Sequence, residues 1–287
     1  MKYITNGWIN GFIGVLIFAG SLPATRIAVK DFSPIFLTSM RATIAAFLAI
    51  FLLIILKQPK PKTSDFPSLI ITSLGVVIGF PLFTALALKH VTSAHSIVFV
   101  GLLPLSTAIF AVIRGGERPK TLFWLFSFLG AMFVPGYSFL ASNSTSLNSD
   151  LLMLMAIILC GLGYADGARL SRTLGGWQVI SWSLLISLPI MLPIAIITIP
   201  KSFEYVSVSS WIGLAYVSIF SMLIGFIFWY RGLAQGGIAA ISQLQLFQPF
   251  IGLGLASVVL NESISWTMLL VTIAAVICVV GAKNYAR

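Results

Sequence analysis

Polar residues interrupt the long apolar runs of this chain at a few places, and their types and spacing limit what each could do. Ser242, Gln245 and Gln248 recur every three residues on the way to Pro249, so a helix presents them on one face. Side-chain amides surrounded by hydrocarbon must be hydrogen-bonded, and a proline within a helix frees a backbone carbonyl. The stripe therefore reads either as the lining of a cavity that binds the amino and carboxyl groups of a zwitterion, or as glue between helices at about 0.6 kcal/mol per bond. Arg41 stands about seven residues inside another apolar run, where an unpaired cation costs several kcal/mol. It could attract a substrate carboxylate, or it could snorkel to the interface or bond neighbouring carbonyls as a structural device. His95, beside Ser93 and Ser96, could donate to a substrate or take up a proton near neutral pH; the alternative is a helix-start residue bonded to backbone or headgroup water.

Asp166 lies in the segment GLGYADG, residues 161–167, and is the one acid placed inside a span. It could relay a proton or cation, or form an interfacial ion pair with Arg169 and Arg172. In the same segment Gly163 and Gly167 offer a small face for close packing while Tyr164 projects elsewhere, and Gly75 and Gly79 make a similar pair. Phe80, Phe83, Tyr216, Trp229 and Tyr230 could stack on an aromatic substrate, although most of the 22 phenylalanines must face lipid. Trp8, Trp177 and Trp211 read as interface belt residues.

The elements that position these groups follow from composition. With 59% hydrophobic and 8% charged residues and a mean hydropathy of +1.05, the chain suits a surface that faces lipid. Apolar stretches long enough to cross a bilayer run over residues 8–26, 34–56, 67–88, 94–113, 121–140, 150–168, 178–199, 209–230, 238–260 and 264–282. The expectation is an all-α membrane protein of ten helices joined by short polar connectors. The start, Lys2 followed by an apolar run and Ser21 to Ala24, imitates a signal peptide, but nine further spans make it an uncleaved first helix.

Ala94, Pro104, Ala111 and Glu117 are repeated 145 positions later by Ala239, Pro249, Ala256 and Glu262. An offset of about half the chain predicts two related five-helix halves, residues 1–142 and 143–287, hinged at the uncharged polar stretch 140–149. An odd number of helices per half makes the second half enter the membrane from the opposite side, which is an inverted repeat. Twelve basic residues fall on one side of the ten spans, and only Arg26, Lys30, Lys89 and Lys201 on the other. By the positive-inside rule both termini are then cytoplasmic. The net charge of +10 thus reflects orientation, and its spread along membrane helices excludes nucleic acid as a partner.

The stretch AGSLPATRIAVKDFSPIFLTSMRATIAAFLA, residues 19–49, resembles the opening of the EamA family of the drug/metabolite transporter superfamily, with a proline at Pro34 and a single second-helix arginine at Arg41. The segments LLPLSTAIFAVIRGGERP and LFQPFIGLGLASVVLNES resemble that family's proline, apolar run and glutamate. The resemblance implies a ten-helix carrier with a central cavity lined mainly by helices 1, 3, 4, 6, 8 and 9, exporting amino acids or other small metabolites. The related small multidrug resistance carriers place a glutamate in their first helix for proton-coupled cation export, whereas residues 8–25 here hold no acid. That absence counts against a drug or cation exporter. An exchanger of nucleotide sugars or phosphorylated metabolites would want several cavity cations for phosphate, and only Arg41 is available.

Seven acids and two histidines supply no metal set, paired carboxylates or Walker loop, so neither a metal nor a cofactor is expected, nor catalytic residues of an intramembrane enzyme. A channel would repeat its polar lining, yet Gln245 and Gln248 match Val100 and Leu103 in the first half. Cys160 and Cys278 read as free, buried thiols. The expected protein is thus a multi-pass inner-membrane carrier working as a monomer with a small-molecule substrate and membrane lipid. Its substrate-binding residues are drawn from Arg41, Phe83, His95, Tyr164, Trp229, Ser242, Gln245 and Gln248. The coupling candidates are His95 and Asp166, and the hinges Pro104 and Pro249.

Overall fold

The computed structural model describes residues 2–141 and 146–283, and among them every regular element is helical. The expected hinge at 142–145 and the C-terminal Arg287 lie outside the described residues. Ten helical rods follow in chain order: α1 (Asn6–Ala28), α2 (Pro34–Ile55), α3 (Thr63–Leu88), α4 (Ser93–Gly115), α5 (Thr121–Ala141), α6 (Ser146–Leu174), α7 (Gly176–Ile197), α8 (Val208–Gly236), α9 (Ile238–Leu260) and α10 (Trp266–Lys283). Among the described residues, eight stretches within these rods are both long and apolar enough to cross a membrane. The sixth rod departs most from expectation. It begins at Ser146 rather than residue 150, so Asp150 is buried inside it and Asp166 is not the sole acid within a span.

The rods begin where local chemistry can satisfy the first backbone amides. Ser33 accepts from Phe36 N (3.2 Å) with Pro34 in the first turn, Thr92 accepts from His95 N (3.2 Å), and Ser207 accepts from Ser210 N (3.3 Å). Both α4 and α9 end on a left-handed residue, Gly116 (φ 68°) and Asn261 (φ 53°), types that tolerate this conformation. The 145-residue offset carries one onto the other. It also carries the π-helical stretch Ser73–Gly79 of α3 onto 218–224, inside the π-helical stretch Tyr216–Ile224 of α8.

The left-handed turns aim the two repeated glutamates at the opposite half. Glu117 accepts from Ile238 N and Ala239 N, both at 2.9 Å, at the start of α9. Glu262 accepts from Ser93 N (3.0 Å), Ser93 Oγ (2.8 Å) and Ala94 N (2.8 Å) at the start of α4. Each carboxylate thus neutralises a helix N-terminus that would otherwise leave amides unsatisfied in a membrane protein. The offset exchanges one set of bonds for the other, and the repeated alanines are their parts. Ala94 and Ala239 donate to the glutamates, while the carbonyls of Ala111 and Ala256 accept from the Glu117 and Glu262 amides at 3.2 Å.

Between the halves, α1 packs on α8, α3 on α6, α2 on α7, α4 on α9 and α5 on α10. Glycines permit the closest approaches, as expected where helices associate by packing alone. A Cβ on Gly75 would come within 2.5 Å of the Leu159 carbonyl and 2.9 Å of Gly163 Cα, and one on Gly232 within 2.6 Å of Gly11 N. Gly167 makes room for the Tyr230 ring and Gly79 for Leu159.

Two outcomes follow for stability. Glu117→Ala and Glu262→Ala should each cost about 1–3 kcal/mol, the value of charge-assisted bonds to buried amides, read as a lower unfolding temperature in detergent. Gly75→Ala should cost about as much through forced separation of α3 and α6. Gly254→Ala, which meets open space, should be neutral or stabilising by up to about 1 kcal/mol.

Candidate functional site

Arg41 is the eighth residue of α2, about 10 Å along the rod from Pro34. The buried residues C-terminal to it include Ala42, Ala45, Ala46 and Ala49, whose small side chains let α2 lie close to α7 and α8. The side chain does not snorkel: Arg41 is 4% exposed and points inward. Its Nη2 donates to Ser221 Oγ over 3.4 Å, and its Nε has no partner. Ser221 lies in the π-helical stretch of α8, and its hydroxyl is 2.7 Å from that of Ser21 in α1. Gln248, in the first turn after the 3₁₀ stretch Gln243–Leu246 of α9, donates from Nε2 to the Phe18 carbonyl (3.3 Å) and leaves Oε1 without a partner.

These four polar residues and an apolar wall line a narrow crevice with about 10 Å³ of interior space, room for one water and far less than a small-molecule site. The wall is Phe18, Val76, Phe80, Tyr164 and Phe226. Its rings support one another: Phe18 lies 4.9 Å from Phe226 and stacks at 6.4 Å on Tyr164. The arrangement is a buried cation at the polar end of a small aromatic pocket. A guanidinium held by one long hydrogen bond in a low-dielectric interior is costly until an anion completes it.

The structure brings Arg41, Tyr164 and Gln248 together and places the other expected binding residues elsewhere. Phe83 is half-buried on α3 and off the wall, where Phe80, one turn earlier, stands instead. Trp229 is fully buried behind the wall, 5.4 Å from Tyr164. Ser242 donates back to the Ala239 carbonyl at 3.0 Å, and Gln245 is buried one turn before Gln248. His95 binds Asp150 through Nε2 at 2.6 Å, with both residues buried. Asp166, fully buried, receives Arg114 Nε (2.9 Å) and Nη2 (3.2 Å) together with Arg169 Nη2 (3.1 Å). Arg172 pairs with Glu117 at 3.1 Å rather than with Asp166.

Helix 2 contributes to the cavity and helix 4 does not, in contrast to the expected lining. Helix 4 packs its apolar face on α9, with Ile97 against Gly252, and only the length of Arg41 brings α2 into the wall. Pro104 and Pro249 sit in the first turn after a local break, at Gly101–Leu102 and Gln243–Leu246; neither proline can donate to the carbonyl four residues before it, and the Gln245 carbonyl accepts from a backbone N–H of the 3₁₀ turn instead. Sequence reasoning missed Ser21 and Ser221. The one available signal was that the offset carries apolar Val76 onto polar Ser221, and both line the cavity.

The sequence profile described as the EamA-like transporter family matches residues 5–135 and 147–282. An uncharacterized transporter of Bacillus subtilis, YdeK, is 59% identical over 287 residues and covers all of both chains. An uncharacterized transporter of Archaeoglobus fulgidus is 22% identical over 86% of this chain and 87% of its own. A solved crystal structure of a protein superposes with a TM-score of 0.71 over 98% of this chain and 97% of its own, at 17% identity, and so shares the fold. Matched in both halves by that profile and end to end by a named transporter, this ten-rod chain belongs to the EamA-like transporter family.

Proposed function

We propose that the protein is a secondary carrier that exports small carboxylate-bearing metabolites across the inner membrane by alternating access, with amino acids the first members of that class to test. The observation that carries this reading is Arg41, a buried guanidinium with an unpartnered Nε at the polar end of a narrow aromatic crevice that must widen to admit a substrate. Substrate binds there between the halves, which form an inverted repeat of residues 1–142 and 143–287. The exchange of the Glu117 and Glu262 bonds by the 145-residue offset supports that symmetry. Rocking about Pro104 and Pro249 opens each side in turn. The excess of basic residues on one side orients both termini to the cytoplasm, and the carrier works as a monomer in lipid. His95, held by Asp150, and Asp166, held by Arg114 and Arg169, are the groups that would couple transport to protons.

Counterflow of labelled amino acids and other small carboxylates into proteoliposomes tests the reading, and absence of saturable exchange for every carboxylate overturns it. Arg41→Met should reduce counterflow roughly 10-fold to 150-fold, as expected for about 1.5–3 kcal/mol of charge-assisted binding. The same variant should unfold at an equal or higher temperature without substrate, because a buried unpaired charge has been removed. A strong loss of stability would instead make Arg41 a structural residue. With His95→Gln, any acceleration of flux by a pH gradient should disappear while exchange at equal pH persists; an unchanged pH response removes His95 from the coupling step.

A further inference from the structure

The 145-residue offset exchanges the two glutamate caps but not the charges around them. At the end of the bundle that carries Glu117, charged side chains tie the first five rods to the last five. Arg114 of α4 donates from Nε and Nη2 to Asp166 of α6 at 2.9 and 3.2 Å, Arg172 of α6 donates to Glu117 at 3.1 Å, and Arg169 donates to Ser68 of α3 at 2.6 Å. Toward the middle of the same seam Ser106 donates to the Ile157 carbonyl at 3.1 Å, and Gly161 makes room for Ser106, so α4 stays in contact with α6.

The offset carries Arg114, Asp166, Arg169, Arg172 and Ser68 onto Val259, Ser21, Ala24, Ile27 and Gly213, among which no ion pair can form. Ser21 turns to Ser221, and the other four line an apolar groove of about 240 Å³ between α1, α8 and α9, at the end that carries Glu262. Polar contacts at that end join other rods: Asp31 takes Ser207, His95 takes Asp150 and Glu262 caps α4. The link printed between the side chains of α9 and the backbone of α1, Gln248 to the Phe18 carbonyl, lies deeper in the bundle. The seam of α4 with α6 is thus closed by charge, and its counterpart, α9 with α1, stands parted around the groove.

An ion pair between moving parts stabilises only the conformation in which its partners meet. Asp166 is fully buried, so parting the seam would leave its carboxylate to Arg169 on its own rod. We infer that the Arg114–Asp166 and Arg172–Glu117 pairs are a latch that holds the substrate-free carrier closed at this end and parted at the groove, an inference that rests on the carrier reading above. In the orientation proposed there the latched end faces the cytoplasm. Transport then requires the arginines to release their carboxylates while the groove closes.

Double electron–electron resonance on the full chain in nanodiscs, in a Cys160→Ala, Cys278→Ala background, reads each end without any substrate. Spin labels at the exposed positions Arg118→Cys and Thr173→Cys report the α4–α6 seam, and labels at Lys30→Cys and Ser263→Cys, in a separate sample, report the α1–α9 groove. Arg114→Gln with Arg172→Gln removes both pairs and leaves Asp166 with Arg169. The long-distance population at the seam should rise about tenfold or more relative to the short one, and the groove distance should shorten with it. Arg114→Gln alone, a change at a partly exposed side chain, should move both distances the same way by a smaller factor, and it carries the test if the double variant does not fold. Arg231→Gln removes a cation of the same end that has no ion pair among the described residues, and should change neither distance. Unchanged distances in the folded variants, or a seam that opens while the groove stays parted, overturn the latch and leave the carrier reading to stand or fall on its exchange assay.

Discussion

Two carboxylates hold the halves of this molecule to each other. Glu117 leaves the end of α4 and caps the start of α9, and Glu262 leaves the end of α9 and caps the start of α4. Ser93, Ala94, Ile238 and Ala239 are buried by packing, so their amides need an acceptor from the protein itself. Here each half meets that requirement for the other. The left-handed turn at Gly116 and Asn261 aims the glutamate, and the carbonyls of Ala111 and Ala256 secure its own amide. The ends are not identical: Arg172 adds an ion pair at Glu117, whereas Ser93 Oγ takes that place at Glu262.

Once the helix ends are held, the interior can tolerate a feature that would destabilise a looser bundle. Alanines on α2 and glycines at the crossings of α1 with α8 and of α3 with α6 bring the rods into close contact. Within that packing the π-helical stretch of α8 turns Ser221 inward, and the break of α1 at Gly20 places Ser21 opposite it. Arg41 reaches this pair without an acid to neutralise it. Other charges in the core, Asp166 and the His95–Asp150 pair, meet partners of opposite or titratable character. The contrast between satisfied and incomplete charges sets Arg41 apart from the other core charges.

The outline of the fold was legible in the chain because each span is a run of about 20 apolar residues, a length dictated by the bilayer. The repeat was legible as well, since Ala94, Ala111 and Glu117 recur at 145 positions, and each turns out to be a part of the helix-capping contact. The extent of α6 was less legible, because the serines and asparagine before Asp150 resemble a loop although they start the helix. For the site, Arg41, Tyr164 and Gln248 could be singled out as polar or aromatic groups in apolar runs. Phe80 could not be separated from Phe83, nor Ser221 from the other serines.

By itself the sequence determined which segments form long apolar helices and that few ionisable groups occur within them. These properties depend on composition and spacing along one chain. Only the tertiary structure decided which of those groups remain unpaired. Whether a buried charge is neutralised depends on residues far away in sequence: Asp166 meets Arg114 across 52 positions, His95 meets Asp150 across 55, and Arg41 meets only Ser221 across 180. Pairing is set by how the rods cross, and that crossing leaves Arg41 as an incomplete charge in the core.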